Sequence, residues 1–117
     1  MKNNIVTLDE ATRFHGHLGP WLVFGILMGN YALKKLEAKK HFDLYVKVWG
    51  ANAKPKSCLI DGLQLSTGAT YGKGNIQKIK ANRIKVILYN FKNYKKIKIC
   101  LKKDFIKKLD GLKGHRE

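Results

Sequence analysis

Four stretches of this chain alternate between apolar and polar residues, and that period of two constrains everything else. Asp43 to Gly50 sets Leu44, Val46 and Val48 against Tyr45, Lys47 and Trp49. Ile76 to Lys80, Ile84 to Tyr89 and Lys96 to Leu101 repeat the pattern, with lysine as the usual polar partner. Successive side chains of a strand point to opposite sides, so each stretch reads as a strand with one buried face. Ala81-Asn82-Arg83 and Asn90 to Lys95 are short links, and the last three strands are expected to run as an antiparallel meander. Lys78, Lys80, Lys85, Lys96, Lys98 and Lys102 should project mostly from the face that stays in water.

A sheet with one apolar face needs a cover, and the remaining sequence supplies helices. Thr7-Leu8-Asp9-Glu10 is a capping box, which starts a short helix from about Leu8 to Phe14. Gly16 and Gly19-Pro20 break it, and Pro20 suits the first position of a second helix. Leu22, Val23, Ile26, Gly29, Leu33 and Leu36 then follow the helical period to an end near Glu37 to Lys40. Ser57 can serve as N-cap for a helix from Cys58 to about Ser66, and Asp104 can cap a last one to about Leu109. Residues 111–117 should fray. Gly25 and Gly29 lie one turn apart and let another backbone come close, either the sheet of the same chain or a second copy in a homodimer. The expected class is α+β: a four-stranded sheet with helices packed mainly on one face, in a single domain over residues 1–117.

Composition removes several functions. The net charge of +16 tempts a nucleic-acid reading, yet almost all of the excess is lysine, with only Arg13, Arg83 and Arg116. Arginine makes the best bidentate phosphate and base contacts, and abundant Lys, Ile and Asn fit A/T-rich codons or a hot environment as well. Nucleic acid is therefore not the expected partner. It would need aromatic rings exposed among the lysines, for which Tyr89, Phe91 and Tyr94 are candidates. Cys58 and Cys100 are the only cysteines, which implies neither a disulfide framework nor a CxxC zinc ribbon and suits a reducing cytoplasm. The N-terminus shows no secretory signal, and the apolar stretch from Leu18 to Leu33 is too interrupted for a membrane span.

The chemistry concentrates in two segments. His15 and His17 flank Gly16 in a break between helices, where imidazole nitrogens could be aimed at a transition metal; one ring capping a helix and the other on the surface is the plain alternative. Cys58 occupies the first turn of a helix, where unpaired amides and the dipole favour a thiolate, though cysteine is also a common buried small residue. Asp61 and Gln64 follow at three-residue steps on roughly the same side. Two histidines, a thiol and a carboxylate are enough for a tetrahedral site or for three ligands and an open position. The loop Gly68 to Asn75 fails the Walker pattern in spacing and follows a helix, the reverse of nucleotide-binding order. Its amides and Lys73 could face a small anion, or its glycines could serve only a tight connection.

Phe14-His15-Gly16-His17-Leu18-Gly19-Pro20, together with the segment Cys58-Leu59-Ile60-Asp61-Gly62-Leu63-Gln64 through Thr67-Gly68 to Asn75, closely resembles the formylmethanofuran dehydrogenase E-subunit family. The resemblance spans essentially the whole domain. It implies a mixed four-stranded sheet, frequent homodimers, and a divalent metal, zinc first, held by His17 and Cys58 with His15 close by. Asp61, Gln64, Thr67, Lys73 and Asn75 are the residues through which the second segment would hold a cofactor. It also implies a link to the molybdenum or tungsten enzyme that fixes carbon dioxide onto methanofuran, as an accessory protein or subunit. An independent metal-dependent enzyme at the same site is the alternative. Many members carry cysteines where this chain has Gly19 and Ala69, and longer ones end in a four-cysteine ribbon. With one thiol at the site, metal binding is favoured over redox chemistry.

Overall fold

The Thr7 hydroxyl accepts from the Glu10 amide at 3.1 Å and the Glu10 carboxylate accepts from the Thr7 amide at 2.9 Å, so the expected capping box is formed. It opens α1 (Leu8–His15), which closes on Gly16 at φ 109°, a left-handed value that glycine adopts without strain. This computed structural model describes residues 5–112. Pro20 then begins α2 (Pro20–Lys35), followed by β1 (Leu44–Trp49), α3 (Cys58–Thr67), β2 (Ile76–Ile79), β3 (Lys85–Asn90), β4 (Lys96–Cys100) and α4 (Lys103–Leu112). Element order and α+β class are as expected. The last helix runs on to Leu112, and the rest of the expected frayed tail, 113–117, lies outside the described residues.

The meander expectation holds for β3 and β4 and fails for β2. The strand order is β2-β1-β3-β4, with β1 parallel to β2 and antiparallel to β3, and β3 antiparallel to β4. The sheet is mixed, and β1 is inserted between two strands that are neighbours in sequence. The reason lies in burial. Leu44, Val46 and Val48 are each at most 1% exposed, so β1 needs a hydrogen-bonded neighbour on both sides. The four-residue β2, with Gln77 and Lys78 exposed, is suited to an edge. The chain from β1 through α3 to β2 is a crossover of the kind that parallel strands require.

Register also sorts the lysines. Lys85 pairs with Trp49, Lys98 with Ile87 and Lys96 with Tyr89, all on the outer face. Lys78 pairs with Val48 and so belongs to the helix-covered side, reaching water only because β2 is the edge. The inner face is covered by α2 and α3: Trp21, Met28, Ala32, Leu59 and Leu63 pack with Val46, Val86 and Leu88.

The glycine stripe of α2 is used within the chain, and by a helix instead of the sheet. A Cβ on Gly25 would overlap the Leu59 carbonyl oxygen, and one on Gly62 would overlap that of Leu22 and lie 2.8 Å from Gly25 Cα. At Gly29 the Ser66 side chain takes the space, its hydroxyl donating to the Gly62 carbonyl at 2.8 Å. The stripe is thus filled by α3 and is no seam for a second copy. Among the described residues, no helix is long and apolar enough to cross a membrane.

Candidate functional site

Three breaks in regular structure set the site. His15 is the last residue of α1, His17 stands in the link after Gly16, and Cys58 is the first residue of α3. The close α2–α3 packing brings these ends together, and His15, His17 and Cys58 line one cavity of about 30 Å³ with Gly19, Pro20 and Trp21. The imidazole centroids are 5.2 Å apart with planes inclined at 55°.

His15 is oriented from α3. Its Nδ1 lies 2.5 Å from Asp61 Oδ2; when the carboxylate accepts there, Nδ1 is the donor, and in the neutral ring Nε2 is then the nitrogen with a lone pair. The His15 side chain is 12% exposed and that of Asp61 35%, so the pair is partly sheltered from water and stronger than a surface contact. Gln64 Nε2 donates to Asp61 Oδ1 at 3.4 Å, and Gln64 Oε1 accepts from the Tyr71 amide at 3.3 Å. The glycine loop is in this way tied to the histidine through two side chains. Burial, and secondarily the Asp61 charge, pushes the Tyr71 phenol above its ordinary value, so it stays protonated in neutral solution.

Other residues singled out from the sequence lie apart. Thr67 is 1% exposed; its hydroxyl donates to the Leu63 carbonyl at 2.6 Å and accepts from the Ala69 amide at 3.1 Å. Asn75 donates to the carbonyls of His41 at 3.1 Å and Leu44 at 3.3 Å and accepts from the Thr70 amide at 2.8 Å, binding the loop to the start of β1. Lys73 lies over the Phe42 ring at 5.3 Å and donates to Thr70 Oγ1 at 3.2 Å. The expected cap at Ser57 is also different. Ser57 is in the right-handed helical region and makes no side-chain cap bond. Cys58, Leu59 and Ile60 donate to the carbonyls of Pro55, Lys56 and Ser57 at 3.0, 3.1 and 3.0 Å. The turn before α3 therefore occupies the amides expected to attract a thiolate, and the free positive end of the helix lies upstream of Cys58.

The donor chemistry suits a borderline-soft divalent ion, since imidazole nitrogen and thiolate sulfur are its usual ligands. The cavity exceeds the roughly 10–15 Å³ needed for one water-sized occupant. A ligating histidine commonly gives its second ring N–H to a carboxylate, which His15 already does. Among the described residues, however, no three His, Cys, Asp or Glu side chains converge closely enough to share an ion as they stand. Side-chain rotation at the mouth of the cavity would have to complete a ligand set.

One contact was beyond sequence reasoning. Trp21 Nε1 donates to Asp110 Oδ1 at 3.0 Å and Lys56 Nζ lies 3.8 Å from Asp110 Oδ2, so α4 braces the cavity wall from the far end of the chain. Nothing in the spacing marks that pairing.

A protein-family match spans both segments of the site. The FmdE family, described as "Molybdenum formylmethanofuran dehydrogenase operon", matches residues 14–117. The chain belongs to the FmdE family. A curated relative from Archaeoglobus fulgidus, named a probable S-adenosyl-L-methionine-binding protein, is 26% identical over 104 residues. The alignment covers 86% of this chain, which spans only 28% of that relative. Both segments of the site fall inside the FmdE match, which begins at Phe14 and leaves out most of α1.

Proposed function

We propose that this FmdE-family chain is an accessory protein or subunit of the formylmethanofuran dehydrogenase system that holds one divalent transition metal, zinc first, through His17, Cys58 and His15. The observation that carries the proposal is the His15–Asp61 pair beside the cavity shared by the three donors. It fixes the ring tautomer and leaves the other nitrogen for an ion. Asp61 and Gln64 then act as positioning residues. A bound ion would add a Lewis-acidic centre where the chain offers only side chains.

Size argues against a stand-alone enzyme at this site. A cavity of about 30 Å³ holds an ion or a water, whereas small-molecule pockets are commonly ten or more times larger. The match reaches only 28% of the Archaeoglobus fulgidus relative, so the cofactor in its name is not assigned to this chain. We place the protein in the cytoplasm, where a reduced Cys58 persists. A homodimer is part of the proposal: Leu27 and Tyr31, one turn apart on α2, are 58% and 51% exposed.

The test is metal analysis of protein purified without a histidine tag, after equilibration with zinc and removal of excess. About one ion per chain is expected, falling sharply in Cys58→Ala and in His17→Ala. Protein that takes up no divalent metal, or Cys58→Ala protein that binds as well as the parent, would overturn it.

A further inference from the structure

The outer face of the sheet, across from α2 and α3, carries a pattern that metal binding does not use. Alternation places Tyr45, Lys47 and Trp49 of β1 beside Lys85, Ile87 and Tyr89 of β3, and these beside Lys96 and Lys98 of β4. Rings and cations are interleaved: Lys85 Nζ lies 4.4 Å from the Trp49 ring centroid, and Lys47 and Lys96 lie 6.0 and 5.9 Å from that of Tyr89. The four strands contain no Asp or Glu, and neither does the sequence between Asp61 and Asp104. Among the described residues no ion pair engages Lys47, Lys85, Lys96 or Lys98.

At one end of this face the β3–β4 turn holds two more rings in water, Phe91 at 55% and Tyr94 at 90% exposure. The turn is fixed. Asn90 and Asn93 both donate to the Leu36 carbonyl, at 2.8 and 3.0 Å, and the Phe91 amide donates to the Asp43 carbonyl at 2.9 Å. Tyr94 sits at φ 62°, which a non-glycine residue adopts only where its surroundings impose it. Tyr45, Tyr89, Phe91 and Tyr94 enclose, with Lys47 and Lys95, an open cleft of about 430 Å³. At the opposite end, about 17 Å away along β3 by strand rise, Arg83, Lys102 and Lys103 line a second basic cleft of about 680 Å³ with Lys56.

We propose that the outer sheet face binds single-stranded nucleic acid, with bases stacking on Phe91, Tyr94 and Tyr45 and phosphates running along Lys47, Lys85, Lys96 and Lys98 toward Arg83. Rings set at intervals among unpaired cations match a polymer that alternates flat bases with charges. An acidic protein would use the lysines without needing the rings. Two copies meeting through this face would set its lysines against one another, with no Asp or Glu on the strands to offset them. The proposal stands apart from the metal site on the other side of the sheet.

The test is fluorescence anisotropy of full-length protein with labelled oligouridine and oligothymidine of about twelve nucleotides, at several salt concentrations. Binding is expected at low salt, with a log–log salt slope that becomes shallower by about 0.7 for each phosphate-contacting lysine removed, as in Lys85→Gln and Lys98→Gln. Phe91→Ala combined with Tyr94→Asn, which tolerates the left-handed backbone, is expected to weaken binding about tenfold or more at fixed salt and leave the slope unchanged. Circular dichroism confirms that each variant is folded. Four results would overturn the proposal: no binding at low salt, equal affinity for a duplex of the same length, no effect of the ring variants, or self-association of the parent that those variants abolish.

Discussion

At the scale of single residues, the chemistry-bearing side chains were legible and their partners were not. His15, His17, Cys58 and Asp61 are conspicuous because a histidine pair around a glycine and a cysteine at a helix start are unusual placements. That Asp61 serves His15, and that Gln64 passes the contact on to the Tyr71 amide, depends on how α1 meets α3, which spacing does not encode. Thr67 and Asn75 show the converse: polar residues in the matched segment whose hydrogen bonds are spent on α3, the loop and the start of β1. Asp61→Asn keeps the shape and removes the charge that fixes the His15 tautomer. Zinc affinity is expected to fall about 10- to 100-fold with the thermal melt little changed, as read by competition with a chromophoric chelator. Unchanged affinity would remove Asp61 from the site.

At the scale of elements, every helix and strand could be placed from periodicity, and α1 from its capping box as well, because both are local; Ser57 makes no cap bond and Asp104 lies inside α4. Pairing could not. A short link between two alternating runs favours a hairpin on local grounds, yet the strongly apolar β1 took the centre and forced β2 to the edge. The glycines of α2 were likewise visible as a close-approach stripe, while their partner, α3 with Gly62 and Ser66, emerged only from packing. Gly25→Ala tests that packing. It gains about 1 kcal/mol of helix propensity but drives a methyl into the α3 backbone, and a destabilisation of about 1–3 kcal/mol is expected in urea unfolding. Gly111→Ala, where nothing lies within 4 Å, is the control and should be neutral or stabilising by up to about 1 kcal/mol. Equal behaviour of the two variants would show that α2 and α3 are not in close contact.

At the scale of the whole molecule, net charge is legible in the sequence and its placement is not. A value of +16 says nothing of where the cations stand; register puts a coherent set on one face with rings among them. Quaternary structure is the other property of this scale. With the glycine stripe filled from inside, the exposed pair Leu27 and Tyr31 is what α2 offers a second copy. Light scattering should give twice the chain mass for the parent and the single-chain mass for Leu27→Glu with Tyr31→Glu. A parent that runs as a monomer at micromolar concentration would remove the dimer from the proposal.

Sulfur and imidazole, at the start of α3 and the α1–α2 link, are proposed to hold one ion together. Titration of the metal-free, untagged protein with cobalt(II), followed by absorption spectroscopy, addresses this directly. A thiolate-to-cobalt charge-transfer band that saturates near one equivalent, disappears in Cys58→Ser, shifts in His17→Ala and is displaced by zinc is the predicted result. A spectrum that stays that of the hydrated ion, or one that Cys58→Ser leaves unchanged, would contradict it.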